Sequence, residues 1–338
     1  MSKIIAENLD IVEVDTGEIL TDIGRNGKER PWKSHKEEGL KLDNLFVTAK
    51  KLDDSVITDN GLKSLEECGD TLIFVRNEKG EKRLHGANFC RNRLCPMCNW
   101  RRSLKMYSQV SQITDKILAT RKSRFIFVTL TVRNPDGAHL AKTLDLMNKG
   151  FSYITSNSRT FAPAKKFKES LQGYIKATEI TYNSEEDTYH PHIHCIFQVR
   201  PSYFKGTGYI KKSDWVELWQ KAMSLDYAPS VYVKTIKETD NDKTKAVAEV
   251  AKYPTKSADL LKIEDEEKAV QALIVLAKTM KGRRLITFGG EFATVKRELK
   301  LDDIENGDLI HAEQEAQNFN PVAKMIYRWR AEVGAYIC

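Results

Sequence analysis

Three of the chain's seven histidines, His190, His192 and His194, occupy alternate positions just before the apolar run Cys195-Ile196-Phe197-Gln198-Val199. Alternate side chains of a β-strand share one face. The three imidazoles therefore point one way, while Ile193, Cys195, Phe197 and Val199 point the other way into a core. Imidazoles at that spacing can converge on a divalent metal. The plainer alternative is a polar rim on an ordinary strand.

A second set of donors is made of sulfur. Four of the six cysteines, Cys68, Cys90, Cys95 and Cys98, lie close together in the sequence, and Cys95-Pro-Met-Cys98 forms a knuckle that brings two thiolates to one ion. A hairpin between Cys68 and Cys90 would return the other two. Four thiolates suit a closed, structural, tetrahedral Zn²⁺ site. His85 is an alternative fourth ligand. A redox pair at the C-x-x-C is the other reading, but no thioredoxin-like context surrounds it. Arg91, Arg93, Arg101 and Arg102 flank the cysteines together with Trp100. They suit contact with DNA phosphates, or equally a solvated helix face.

The elements that must hold these residues follow from periodicity. Residues 124–133 read as a strand, with Ile126, Val128, Leu130 and Val132 on one face and Thr129 and Thr131 on the other. Asn134-Pro-Asp-Gly137 breaks it, and Leu140, Leu144, Met147, Phe151 and Ile154 form the stripe of an amphipathic helix. The basic stretch 165–168 reads as a loop. Strands at 173–182 and 190–199 are joined by a hairpin. If its loop is Ser184 to Asp187, Asn183 pairs with Thr188 and Glu179 stands opposite His192, on the imidazole face. A one-residue slip would remove Glu179 from the site. A helix from about 212, a strand at 230–237 and a helix from 243 follow, the last N-capped by Asp242 and ending at Tyr253 because Pro254 disfavours its continuation.

This βαββαβα order predicts an α+β fold: an antiparallel-rich central sheet with helices on one face, plus a small zinc-binding module. The division expected is a polar extension (1–60), the zinc module with its basic helix (61–120), a central domain (121–260) and a helical or mixed C-terminal region (261–338). Lysine and arginine exceed the acids 54 to 47, for a net charge of +7. That excess permits nucleic-acid binding without establishing it. No signal-peptide core or membrane-length apolar run is present, which points to the cytoplasm.

Metal ligands beside a tyrosine suggest phosphoryl transfer. Glu179, His192 and His194 would hold the ion, and Tyr253 would attack phosphorus to form a phosphotyrosine. Glu249, one helical turn earlier, could accept a proton from water, and Lys256 could pair with phosphate. Most of the twelve tyrosines in such a chain are packing residues, and Glu and Lys at this spacing are commonly a surface ion pair.

Phe127-Val-Thr-Leu-Thr-Val132, His190-Pro-His-Ile-His194 and Glu249-Val-Ala-Lys-Tyr253-Pro-Thr-Lys256 together resemble the three motifs of plasmid rolling-circle replication initiators. These are Rep proteins of the HUH endonuclease superfamily, and the likeness is to those of small staphylococcal and bacillar plasmids. It extends through Phe89–Arg102, Arg284-Leu-Ile, Gly289-Gly290 and Arg30-Pro-Trp-Lys33. The resemblance implies an HUH palm with His192 and His194 as ligands of Mg²⁺ or Mn²⁺, and His190 just outside. It also implies Tyr253 as nicking nucleophile and Glu249 as activator of water at termination. Its substrate would be single-stranded DNA at a hairpin of the plasmid's double-strand origin. Host helicase, DNA polymerase and single-strand-binding protein would be partners, with a homodimer left open. A related transposase or relaxase, and a non-catalytic zinc-ribbon DNA-binding protein, are the alternatives.

Overall fold

The computed structural model describes residues 12–24, 27–157, 162–205, 208–237, 239–252, 257–313 and 319–338. In chain order the elements begin β1 (Val12–Glu13), α1 (Trp32–Leu52), α2 (Asp59–Glu66), β2 (Thr71–Asn77), β3 (Lys82–Ala87), α3 (Pro96–Thr120) and β4 (Arg124–Thr131). They continue with α4 (Gly137–Ser152), α5 (Ala162–Ser170), β5 (Leu171–Asn183), β6 (Thr188–Val199), α6 (Lys212–Met223), β7 (Val231–Ile236) and α7 (Asp240–Ala251). Last come α8 (Ser257–Leu260), α9 (Glu266–Met280), β8 (Ile286–Gly290), α10 (Glu291–Glu298), β9 (Pro321–Arg330) and β10 (Ala335–Ile337). The chain divides into two compact units. One comprises 1–105, 257–277 and 306–338; the other comprises 106–256 and 278–305.

The second unit is built on an antiparallel sheet in the order β7-β4-β6-β5-β8. The hairpin expected from sequence forms in the expected register: Asn183 pairs with Thr188 and Glu179 with His192. One face carries Phe197 and Tyr174, which pack with Phe151 of α4, Phe167 of α5 and Trp215 of α6. The basic stretch 165–168, expected as a loop, is part of α5 with Phe167 fully buried; the helix forms because Ala164 and Phe167 give it an apolar side.

The opposite face, which carries the histidines, is also covered, and the expectation of helices on one face is corrected. Phe125, Phe127, Ile175, Ala177, Ile196 and Ile236 form one buried cluster with Met106, Val110, Ile113 and Ile117 of α3, Val247 and Val250 of α7, and Phe292 and Val295 of α10. The physical reason lies in β4. Phe125 and Phe127 share the parity of Thr129 and Thr131, so half of that face is apolar and must leave water. The end bearing Thr129, His194, Glu179 and His192 is polar. The α7 N-cap is Thr239, whose hydroxyl accepts from the Asp242 amide, rather than Asp242 itself. Gly289 and Gly290 are explained by crowding: a Cβ on Gly289 would stand 2.2 Å from the Tyr174 ring, and one on Gly290 would stand 2.3 Å from the Gln172 carbonyl.

The first unit has its own sheet, β1-β9-β2-β3, with β10 also pairing β9. The segment 1–60, expected as a polar extension, supplies α1, whose Trp32, Leu42, Phe46 and Ala49 are buried. Trp32 meets Phe74 of β2 edge-on, and Phe74 meets Tyr327 of β9 in the same way. The C-terminal β9 lies between β1 and β2. No described helix is long and apolar enough to cross a membrane.

Candidate metal and active site

Among the described residues, two groups of side chains could hold a metal ion: Cys68, Cys90, Cys95 and Cys98, and Glu179, His192 and His194. In each, the donor atoms lie within 4.8 Å of one another.

The carboxylate–imidazole group follows from strand pairing. Glu179 on β5 faces His192 on β6, and Ala177 faces His194, so one carboxylate lies between two rings. Glu179 Oε2 is 3.1 Å from Nε2 of His192 and 3.1 Å from Nε2 of His194. The other ring nitrogens have partners of their own. His192 Nδ1 is 3.2 Å from the His190 carbonyl oxygen. A carbonyl only accepts, so Nδ1 carries a proton and Nε2 is the ring nitrogen that faces Glu179. His194 Nδ1 is 3.1 Å from the Thr129 hydroxyl, which can accept from the ring or donate to it. Both Nε2 atoms and Oε2 thus face one another, and with both nitrogens unprotonated the three would serve as ligands to a divalent ion. Two imidazoles with one carboxylate form a donor set used by several divalent ions. Three protein donors leave coordination positions for water or substrate.

His190 is held apart. Its Nδ1 lies 2.7 Å from Asn134 Oδ1, which ties it to the turn after β4. Burial and the neighbouring His192 push its pKa down. Glu249 sits on the partly exposed side of α7, where it accepts from Lys252 Nζ at 2.6 Å. Tyr253 and Lys256 lie outside the described residues. α7 reaches Ala251, and Val247, Val250 and Ala251 pack on the sheet face that carries Ala177, two residues before Glu179.

The thiol group is delivered by the β2–β3 hairpin and the start of α3. Sulfur separations are 3.7 Å for Cys68–Cys98, 3.7 Å for Cys90–Cys98 and 3.6 Å for Cys68–Cys95. Zn–S bonds of about 2.3 Å place tetrahedral sulfurs about 3.8 Å apart, so these edges fit zinc and are far too long for disulfides. Amides of Cys90, Arg91 and Asn92 donate to Sγ of Cys68, Cys98 and Cys90 at 3.3, 3.2 and 3.4 Å. Arg91 adopts φ 62° to aim its amide inward. Burial opposes ionisation of Cys98, but hydrogen bonds from Cys68, Cys90 and Cys95 and the charge of Arg102 hold its thiol well below the usual range. His85, the alternative ligand, is not in the group.

The four arginines divide. Arg91 is exposed and Arg93 half-buried. Arg101 and Arg102 are 3% and 1% exposed, which corrects their assignment to phosphate contact. Arg101 donates to the carbonyls of Leu309 and Ile310, and Arg102 to those of Arg91 and Asn92 and to Asn99. Burial lowers the Arg101 pKa to about 10. Both guanidiniums brace backbone. Sequence reasoning also missed Lys36, 2% exposed, which donates to the carbonyls of Glu66 and Cys68 at the first thiol. It missed the Thr129 contact to His194 as well. The parity of Thr129 with the histidine face was readable, but its partner ring nitrogen was not.

Among known proteins, residues 81–337 match the family described as Replication protein. The chain is 38% identical over 316 residues to "Protein rep" of Streptococcus pneumoniae, covering 93% of each. It is 35% identical over 338 residues to "Protein rep" of Bacillus amyloliquefaciens, covering 94% of this chain and 97% of that one. A "Replication protein" of Staphylococcus aureus is 37% identical over 214 residues, or 62% of this chain and 88% of that one. No solved structure matches significantly.

Proposed function

The chain belongs to the Rep_1 family of replication proteins, and from that premise we propose that it initiates rolling-circle replication of a plasmid by nicking one strand of the double-strand origin. The observation that carries this reading is the convergence of Glu179 Oε2 with Nε2 of His192 and His194. A Mg²⁺ or Mn²⁺ ion held there would place positive charge against a phosphodiester oxygen.

In this reading the Tyr253 oxygen attacks phosphorus and loses its proton, and the bond from phosphorus to the 3′ oxygen breaks. The products are a 5′ phosphotyrosine, which conserves the ester bond, and a free 3′ hydroxyl that primes synthesis. Strand transfer to a second phosphodiester, or hydrolysis, ends the cycle, and Glu249 takes the proton of the attacking water. The ion pair of Glu249 with Lys252 does not stand in the way. At a partly exposed site such a pair is worth about 0.5 kcal/mol, little against a catalytic role. Lys256 pairs with phosphate or the phenolate. The thiol group holds a structural Zn²⁺, and Arg91 and Arg93 meet DNA backbone beside it. Host helicase, polymerase and single-strand-binding protein extend the nicked strand.

The test mixes the full chain with a single-stranded origin oligonucleotide and Mn²⁺ and looks for a 5′-linked covalent adduct on a denaturing gel. Wild type forms it, and Tyr253→Phe does not. A wild type without adduct, or a variant that still forms one, overturns the reading.

A further inference from the structure

Tyr232 is 54% exposed, although it stands on the sheet face where neighbouring rows are covered by helices. Its row contains the site. Tyr232 of β7 pairs with Thr129 of β4, and Thr129 pairs with His194 of β6. Strands in a sheet lie about 4.8 Å apart, so Tyr232 stands about 10 Å from His194 across the sheet. The ring is anchored. It packs on Phe127 at 6.3 Å and 65°, and Phe127 stacks on His194 at 5.7 Å and 26°. β7 ends the sheet, so no described strand pairs beyond it. Lys234, on the same face of β7, is 46% exposed and pairs with Asp242 at 3.5 Å, and the exposed Arg133 lies over Tyr227 at 4.3 Å.

From this row we infer that Tyr232 is a stacking platform for one base of single-stranded DNA, beside the phosphate that Glu179, His192 and His194 engage. The inference rests on the nicking reading for the identity of that phosphate. An aromatic ring held edge-on by Phe127 offers an outer face at low entropic cost, and bases of any sequence stack on such a face. Arg133 supplies positive charge for the flanking backbone, and Lys234 adds to it by exchanging its ion pair with Asp242 for a phosphate. Tyr232 thereby positions substrate and takes no part in bond breaking.

Binding is measured by fluorescence anisotropy on the full chain carrying Tyr253→Phe, so that chemistry does not contribute. The probes are the single-stranded origin oligonucleotide and a series each with a single abasic site. Tyr232→Ala weakens binding about tenfold or more, while Tyr232→Phe and Tyr232→Trp stay within about twofold. One abasic position near the nick weakens the parent by a similar factor and adds nothing to Tyr232→Ala. Unchanged binding by Tyr232→Ala, or the same abasic penalties with and without the ring, overturns the stacking role. So does loss of the covalent adduct in Tyr232→Phe with Tyr253 intact, because the hydroxyl would then carry chemistry. The nicking reading fails separately, through absence of adduct in wild type. A wild type that forms adduct while Tyr232→Ala binds normally removes only the platform.

Discussion

The thiol group around Cys98 and the carboxylate–imidazole group around Glu179 both gather donors within a few ångströms, yet they differ in what remains to be filled. Four sulfurs at tetrahedral edge lengths, with three amides aimed at them, complete a coordination shell. One carboxylate and two imidazoles, each turned by a hydrogen bond at its far nitrogen, leave a shell incomplete. A complete shell suits a structural ion, a brace; an incomplete one leaves positions for further ligands. The donor chemistry differs as well, four sulfurs in one group and oxygen with nitrogen in the other.

The largest effect separating the two belongs to the brace. Structural zinc in small modules contributes about 10 kcal/mol or more to folding. Cys98→Ser should therefore lose its zinc, by metal analysis of the purified chain, and lower the melting temperature of the first unit sharply. Retention of both would refute a zinc brace. Next in size, Glu179→Ala or His194→Ala should reduce adduct formation by about 100-fold or more while zinc content and melting stay at wild-type values. A parallel loss of zinc would show that the two groups are not independent.

Arg102→Ala sharpens the comparison from the structural side. It strips partners from the carbonyls of Arg91 and Asn92 in a buried setting, so thermal unfolding should report a loss of about 3 kcal/mol. A phosphate-binding arginine would instead leave stability alone and lower the salt dependence of DNA binding. The smallest effect is at Thr129. Thr129→Val keeps the shape but removes the hydroxyl bonded to His194 Nδ1, and Mn²⁺ affinity read by electron paramagnetic resonance should fall about tenfold. An unchanged affinity would mean that packing alone orients the ring.

These contrasts also mark what the sequence made legible. Period-two histidines and a four-residue turn are local signals, and they were sufficient for the β5–β6 register and the convergence of Glu179 with His192. Cysteine spacing likewise located the thiol group. Long-range pairing left no local trace: β9 inserts between β1 and β2 across most of the chain length, so 1–60 read as a polar extension. Arg101 and Arg102 misled because charge in a sequence suggests water or phosphate, whereas here Arg101 is absorbed by the distant carbonyls of Leu309 and Ile310 and Arg102 by those of Arg91 and Asn92 just before it. The covered histidine face could have been foreseen from Phe125 and Phe127, which share the parity of the two threonines.

The central claim is that the incomplete shell at Glu179, His192 and His194 holds the ion needed for nicking, separately from the zinc brace. The most direct measurement is adduct yield on the origin oligonucleotide after brief chelation that leaves zinc bound, before and after Mn²⁺ is restored, in wild type and His194→Ala. The account predicts no adduct until Mn²⁺ returns, recovery in wild type, and no recovery in the variant at equal zinc content. Full adduct yield without a divalent ion, or equal recovery by His194→Ala, would contradict it.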